Sequence, residues 1–428
     1  MKTPEEFLED NGFVPAAKMD RQGLLGQFIL EMERGLEGKP SSLMMIPTYV
    51  GVDGKVPEGS SAIVLDAGGT NFRGGVVTIP PAVSERENQP MPGAKSHVEK
   101  DEFYEAFAKE VKRLEGKAKS PKIGWCFSYP AEATPDLDAK LVRWTKNIDA
   151  PAVVGDFVGA ELLKRTGGKG IAVVNDTVAT LLAAKATEGG KTYSSYIGFI
   201  LGTGTNTAYV EKNSNITKMP GLDPDGSMIV NAESGSFDKS PDSVFDKTLD
   251  AKSTNPGIGR LEKKIAGAYL GPLGLEIWKA AAKEGLFSKQ ASDAICGLGS
   301  LETIDFDNFC AKFKKPGRDN VPDSIFAGEA DAAVARRLGI PVFERAAVLT
   351  AVQLAAFAIK SGGGTDQSAP VAINADGSMY YKTRAVPFAD TVAAELDTLL
   401  VQSRNIHYEI VPQVEDAPMI GAGIAAML

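Results

Sequence analysis

Two glycine turns, each set between apolar strands, constrain this chain more than any other feature. The first is Leu65-Asp-Ala-Gly-Gly-Thr-Asn-Phe-Arg73, between the apolar runs Ser61–Leu65 and Phe72–Ile79. The second is Gly202-Thr-Gly-Thr-Asn206, between Tyr196–Leu201 and a strand running to Glu211. Both end in Thr-Asn, at Thr70-Asn71 and Thr205-Asn206. Glycines without β-carbons let a hairpin turn tightly, at backbone angles other residues avoid. A turn with few side chains exposes N–H groups that suit phosphate oxygens. A plain hairpin explains either turn alone. Two copies predict a duplicated unit, hence two lobes clamping one polyphosphate across a cleft.

The rest of the chain alternates strands with helices, so the class is α/β. Lys122–Phe127, Ile171–Val174, Met228–Ala232, Val371–Ile373 and His407–Val411 read as further strands. Pro80–Lys95, rich in Pro, Glu and Asn, reads as a surface loop. Asn255-Pro-Gly257 is expected to open one helix through Leu261, Ile265 and Tyr269, and Ala389–Leu400 to form another. The apolar run Ala346–Ile359 is too short to span a bilayer and reads as a buried helix.

With 428 residues, the chain has material for two large lobes. A net charge of −9 argues against nucleic acid as the main partner, but not against a nucleotide held by local donors. Cys126, Cys296 and Cys310 have no metal spacing and point to a reducing, cytoplasmic compartment. The acidic start leads into no apolar core, so no signal peptide is expected. Only His97 and His407 occur, and neither adjoins a glycine turn, so a general base here is expected to be a carboxylate.

Asp176 follows an apolar strand and precedes a helix, at the rim where ligands bind in open α/β sheets. It reads as the base, or equally as a helix cap. Glu233 and Glu262 lie near turns, and Glu262 alone reads equally well as a solvated helix residue. Together with Ser128, Thr145, Lys146, Asn175 and Asn206 they make a set of carboxylates, amides and hydroxyls suited to a polyol, whose hydroxyls both donate and accept. Phosphate turns, a polyol pocket and one carboxylate base imply phosphoryl transfer to a sugar hydroxyl.

Pro47-Thr-Tyr-Val50, the first turn, Phe127-Ser-Tyr-Pro130, Trp144-Thr-Lys146, Asn175-Asp-Thr-Val-Ala179, Leu201-Gly-Thr-Gly-Thr-Asn206, Asn231-Ala-Glu233 and Asn255-Pro-Gly257 with Glu262 occur in that order. In this ordered set the chain resembles the eukaryotic-type hexokinase/glucokinase family over nearly its full length. It departs at Asn147, where the family has Gly, at Tyr129, and in a longer Asn374-Ala-Asp-Gly377. Lys314–Ser324 also matches the family's nucleotide-contacting helix poorly.

The resemblance implies a two-lobed actin-like ATPase (ribonuclease H-like) fold with a duplicated core. It implies a small domain of 54–177, joined by a C-terminal helix at 418–428, and a large domain of 1–53 and 178–417. It implies ATP-dependent phosphorylation of a hexose at its 6-hydroxyl. Ser128, Thr145, Lys146, Asn175, Asp176, Asn206, Glu233 and Glu262 would contact the sugar. Asp176 would act as base, with Lys146 and Arg73 as further catalytic groups. Gly68, Gly69, Thr70, Asn71, Arg73, Gly202, Thr203 and Gly204 would hold the phosphates of ATP. Asp66 would position Mg²⁺, and Gly377, Gly421 and Gly423 would flank the adenosine. The expected partners are hexose and MgATP, with no nucleic acid and no membrane, and the chain a monomer or homodimer. An ATPase switch of the actin or chaperone kind, and a sugar-binding regulator without catalysis, are the competing readings.

Overall fold

The computed structural model describes residues 2–144, 148–187, 189–314 and 316–428. Its strands, in chain order, are β1 (Ile46–Pro47), β2 (Ser61–Ala67), β3 (Asn71–Thr78), β4 (Ala82–Pro90), β5 (Lys122–Phe127), β6 (Ala131–Ala133) and β7 (Ala139–Leu141), followed by β8 (Gly170–Val174), β9 (Ser195–Leu201), β10 (Thr205–Lys212), β11 (Ser227–Asn231), β12 (Val371–Asp376) and β13 (Tyr408–Ile410).

Among the described residues two large sheets result, with β6 and β7 pairing as a separate two-stranded ribbon. One large sheet runs β4-β3-β2-β5-β8 and the other β1-β11-β10-β9-β12-β13. In the first, the antiparallel hairpin β2–β3 is flanked by parallel β5 and β8 on one side and antiparallel β4 on the other. In the second, β9–β10 is flanked in the same way by parallel β12 and β13 and antiparallel β11. The duplication expected from the two turns therefore extends to five strands of each sheet. β2 is buried at every position, as a strand covered on both faces must be, and for that reason it is apolar from Ala62 to Leu65 without alternation, with Asp66 near its end.

Two helices lie between the sheets. Asp176–Ala186 follows β8 and packs on β9, while Ala417–Met427 packs on β2, β5 and the first helix. We call them the crossing helices. Their contact is backbone to backbone. A Cβ on Gly198 of β9 would stand 2.2 Å from the carbonyl oxygen of Thr177, and one on Gly124 of β5 would stand 2.1 Å from that of Ala422. Small residues thus set the spacing of four layers. A core of Val174, Val178, Leu181, Ala208, Ile229, Ala372, Ala422 and Ile424 fills the interval.

The outer face of the five-stranded sheet carries an aromatic cluster. Phe72, Phe103, Phe107, Trp125, Phe127, Tyr129 and Trp144 pack in tilted or edge-on pairs with centroids 4.4–6.0 Å apart. The core of the six-stranded sheet includes the helix Glu329–Ser361, which ends at Gly362 in the left-handed conformation. This helix is long and apolar enough to cross a membrane by length and composition, unlike the run read from its second half. Its most apolar window is 89% buried within the protein.

Three element expectations are corrected. Pro80–Lys95 is not simply a loop, because it contains β4. That strand is an exposed edge with no buried face, so it carries no alternation to read, and its charges guard the free edge. Asn255–Tyr269 is not one helix. It holds the short helix Glu262–Ile265, and a new helix starts at Leu270. The break occurs where the Gly267 and Ala268 N–H groups bond the carbonyls of Gly202 (2.7 Å) and Thr203 (3.0 Å) instead of helix carbonyls. The helix expected over Ala389–Leu400 is α-helical over Phe388–Leu396 and widens to a π-helical segment, Asp397–Gln402.

Candidate active site

The two turns stand at corresponding ends of β2 and β9, and the expected polar residues gather around them. Asn175, the residue after β8, caps the first crossing helix: its Oδ1 accepts from the Thr177 N–H (2.9 Å) and hydroxyl (2.6 Å). The capping role weighed for Asp176 therefore belongs to its neighbour. Asp176 is the first helical residue, and its Oδ1 also accepts from the Thr177 N–H.

Asp176 lies near Asp66 and Glu233. Burial pushes the Asp66 carboxyl above its ordinary pKa, Arg73 opposes the shift, and Asp176 adds to it. Burial likewise raises Glu233, where a hydrogen bond from Asn231 opposes and the charges of Asp176 and Glu262 add. Four carboxylates thus share one region.

Glu233 has a left-handed backbone, φ 55°, a strained state that surrounding structure must hold. Its Oε1 accepts from Asn231 Nδ2 (3.0 Å) and Asn206 Nδ2 (3.4 Å). Asn206 Nδ2 also donates to Asn231 Oδ1 (2.7 Å), and its Oδ1 accepts from the N–H groups of Thr207 (2.7 Å) and Ser234 (3.2 Å). Glu262 Oε2 accepts from the Thr205 N–H (3.0 Å), across from Gly204, where a Cβ would stand 2.7 Å from that oxygen. Ser128 follows β5, and its N–H bonds the Ala67 carbonyl (3.3 Å), which sets it beside the end of β2. Cys126 is buried between Asp66 and Ser128. Thr145 and Lys146 lie outside the described residues.

In the first turn the Gly68 N–H meets the Asn71 carbonyl (3.2 Å), and Asn71 Nδ2 donates to Thr70 Oγ1 (3.2 Å). The Tyr129 hydroxyl donates to the Gly68 carbonyl. Gly69 and Thr70 complete this turn, and Thr203 lies between Gly202 and Gly204 in the second. Gly68, Gly202 and Gly204 do not stand in the left-handed region. Clearance, not the unusual angles expected, suits glycine at Gly204 and less tightly at Gly68, where a Cβ would stand 3.3 Å from the Asn71 carbonyl oxygen; at Gly202 a Cβ would make only ordinary contacts at 3.8 and 3.9 Å. The residue that does need an unusual angle is Gly377, at φ 112°, where a Cβ would stand 2.3 Å from the Leu201 carbonyl oxygen. It backs the second turn directly.

Other placements differ from expectation. Arg73 does not reach a free phosphate-facing position. Its Nε and Nη2 donate to Asp66 Oδ2 (3.0 and 2.5 Å) and its Nη1 to Asp416 Oδ1 (2.9 Å). The β2–β3 register sets Arg73 opposite Asp66, so the nearest opposite charge takes it. Asp66 consequently has one oxygen committed to that pair. Gly421 and Gly423 are not on an adenosine surface. Both are buried, and the space above them is filled by the Ala179 backbone and by Val77. Sequence reading missed Asn231 and Thr177 as members of the network, although both lie inside quoted motifs. It also missed Tyr129 as a brace, and Asp416 with Arg86 (2.7 Å) as the outer end of the Arg73 pair.

The paired turns, the two sheets of matching order and the crossing helices define the actin-like ATPase fold. A hexokinase from Schistosoma mansoni, solved with glucose, superposes with a TM-score of 0.78 over 99% of this chain and 98% of that one, at 25% identity. Hexokinase family models match residues 15–186 and 196–428, and this chain belongs to the hexokinase family. Hexokinase-2 of Homo sapiens is 32% identical over 83% of this chain and 41% of its own length. Hexokinase-2 of Saccharomyces cerevisiae is 29% identical over 95% and 88%. The match to glucokinase of Aspergillus niger, 34% identical, spans 60% of each chain, less than two thirds of that relative.

Proposed function

We propose that this chain is an ATP-dependent hexose kinase that transfers the γ-phosphoryl group to the 6-hydroxyl of glucose or a related hexose. The products are hexose 6-phosphate and ADP, and the reaction is the first step of glycolysis. The observation that carries this reading is the gathering of Asp66, Asp176, Glu233 and Glu262 with the amides of Asn175 and Asn206 at the strand ends that lead into the two glycine turns. The glucose in the Schistosoma mansoni relative supports the same substrate class.

In this reading Ser128, Asn175, Asn206, Glu233 and Glu262, with Thr145 and Lys146, hold the sugar hydroxyls. Asp176 takes the proton of the 6-hydroxyl as its oxygen attacks the γ-phosphorus, and ADP leaves. The N–H groups of both turns receive the phosphates, with Gly377 behind them.

Among the described residues no cluster of three or more His, Cys, Asp or Glu is arranged to hold a metal. A buried Asp66 near Asp176, with Oδ2 paired to Arg73 and the Cys126 thiol also hydrogen-bonded to the carboxylate, fits Mg²⁺ held mostly by water and phosphate oxygens. Bound there with ATP, Mg²⁺ would neutralise charge on the transferring phosphoryl group. Residues 54–177 with 418–428 would move as one body against 1–53 and 178–417, closing the cleft and excluding water.

The test is a coupled assay across glucose, fructose, mannose and glucosamine with ATP and other donors. ADP release that depends on hexose is expected, and ATP hydrolysis indifferent to every hexose would refute the reading. Tyr129→Phe removes the brace on Gly68, a neutral hydrogen bond worth about 0.5–1.5 kcal/mol. We expect a rise in KM for ATP of about twofold to tenfold, with hexose KM unchanged, in initial-rate measurements.

A further inference from the structure

Glu262 and the second turn depend on a short segment that does not support itself. The helix Glu262–Ile265 has four residues, too few to be stable through its own hydrogen bonds. Bonds from residues 262–268 reach the turn: Glu262 Oε2 accepts from the Thr205 N–H, while the Gly267 and Ala268 N–H groups donate to the carbonyls of Gly202 and Thr203. The segment therefore touches the proposed sugar and phosphate sites at once.

Its other side is anchored by two consecutive lysines whose side chains are only 5% and 2% exposed. Lysine is almost never buried this far without partners. Lys263 Nζ donates to Asp250 Oδ1 (2.6 Å) and to the Asn255 carbonyl (2.9 Å). Lys264 Nζ pairs with Asp242 Oδ1 (2.7 Å) and donates to Ser240 Oγ (2.7 Å) and the Ser240 carbonyl (2.9 Å). Asp250 in turn accepts from the Gly257 N–H (2.9 Å), which ties down the approach to the segment. Behind this layer Arg345 forms a two-pronged pair with Asp246 (2.8 Å each). An apolar anchor would hold the segment by area alone. Two ammonium groups with fixed oxygen partners also fix its rotation and register.

We propose that Lys263 and Lys264 are positioning residues for hexose recognition: they set the orientation of Glu262 and, through Gly267 and Ala268, the shape of the second turn. This rests on the reading of Glu262 as a hexose contact. The experiment is a double-mutant cycle. Lys263→Met, Lys263→Arg and Asp250→Asn are each made in the wild-type and Glu262→Gln backgrounds. Glucose KM and kcat are measured by coupled assay, glucose affinity by intrinsic tryptophan fluorescence, and stability by thermal unfolding.

Lys263→Met is expected to raise glucose KM about tenfold with kcat within about threefold, as for residues coupled in one network. Lys263→Arg should recover most of the loss. In the Glu262→Gln background the same Lys263→Met change should alter KM by no more than about twofold, while its effect on melting temperature persists. A folded Lys263→Met protein with unchanged glucose KM and affinity would overturn the proposal. So would an equal effect in both backgrounds. If Lys263→Met does not fold, Asp250→Asn carries the same test from the half-open edge of the network, and an unchanged glucose affinity there overturns it. Should the wild-type chain bind glucose without phosphorylating it, the proposed reaction fails, while the fluorescence cycle still decides the positioning role.

Discussion

Asp176→Ala is expected to lower hexose phosphorylation by about a hundredfold to ten-thousandfold, the usual contribution of an aligned general base, with the fold intact. The structure separates the two effects. Asn175, not Asp176, caps the crossing helix through the Thr177 N–H and hydroxyl, so the alanine leaves the cap in place. What the helix loses is a carboxylate in its first turn, about 0.3–1 kcal/mol. Burial and the Asp176 charge both raise the Asp66 and Glu233 carboxyl pKa values, so removing that charge relieves its neighbours. Glucose affinity by tryptophan fluorescence should therefore stay within a few-fold of wild type while kcat collapses. Asp176→Asn, nearly isosteric and unable to take a proton, should lose as much turnover as alanine. A variant that binds glucose normally and keeps most of its turnover would remove Asp176 from the role of base.

The legible parts of this protein are those whose signal is local. β2 and β9 are largely apolar runs, each closed by a glycine turn, and reading them as copies of one unit anticipated that the chain repeats one plan; the strand order of the two sheets shows how far the repeat extends. The passage from β8 through Asn175 into a helix at Asp176 was legible for the same reason. What escaped depends on partners distant in the chain. Nothing near Arg73 announces Asp416, which stands just before the second crossing helix 343 positions later. The helix expected from Asn255 onward breaks because Gly267 and Ala268 serve Gly202 and Thr203, a tertiary demand that outweighs local propensity. β4 was read as loop because an edge strand with two wet faces has no period. Lys263 and Lys264 look like a solvated helix face in sequence, yet both are buried against aspartates.

Gly421→Ala should be among the most destabilising single-methyl changes in the chain. A Cβ at Gly421 would stand 1.9 Å from the Ala179 carbonyl oxygen, 2.4 Å from its carbon and 2.5 Å from its Cα. All three are backbone atoms, so no side-chain rotation relieves the clash and the crossing helices must part. They have little room to do so, because Gly198 and Gly124 hold their outer sides against the sheets with clearances just as small. Overpacking in a tight core costs about 1–3 kcal/mol, and with both helices pinned the loss is expected at the top of that range or beyond. Urea unfolding would measure it. The control is Gly297→Ala, at a helix end where a Cβ meets nothing within 4 Å, expected to leave the midpoint almost unmoved. The comparison also separates two roles for Gly421. If it lined an adenosine site, alanine would raise KM for ATP and leave the unfolding midpoint alone. If it is the contact point between the crossing helices, the midpoint falls, and a Gly421→Ala protein as stable as wild type would show that the helices do not pack through this residue.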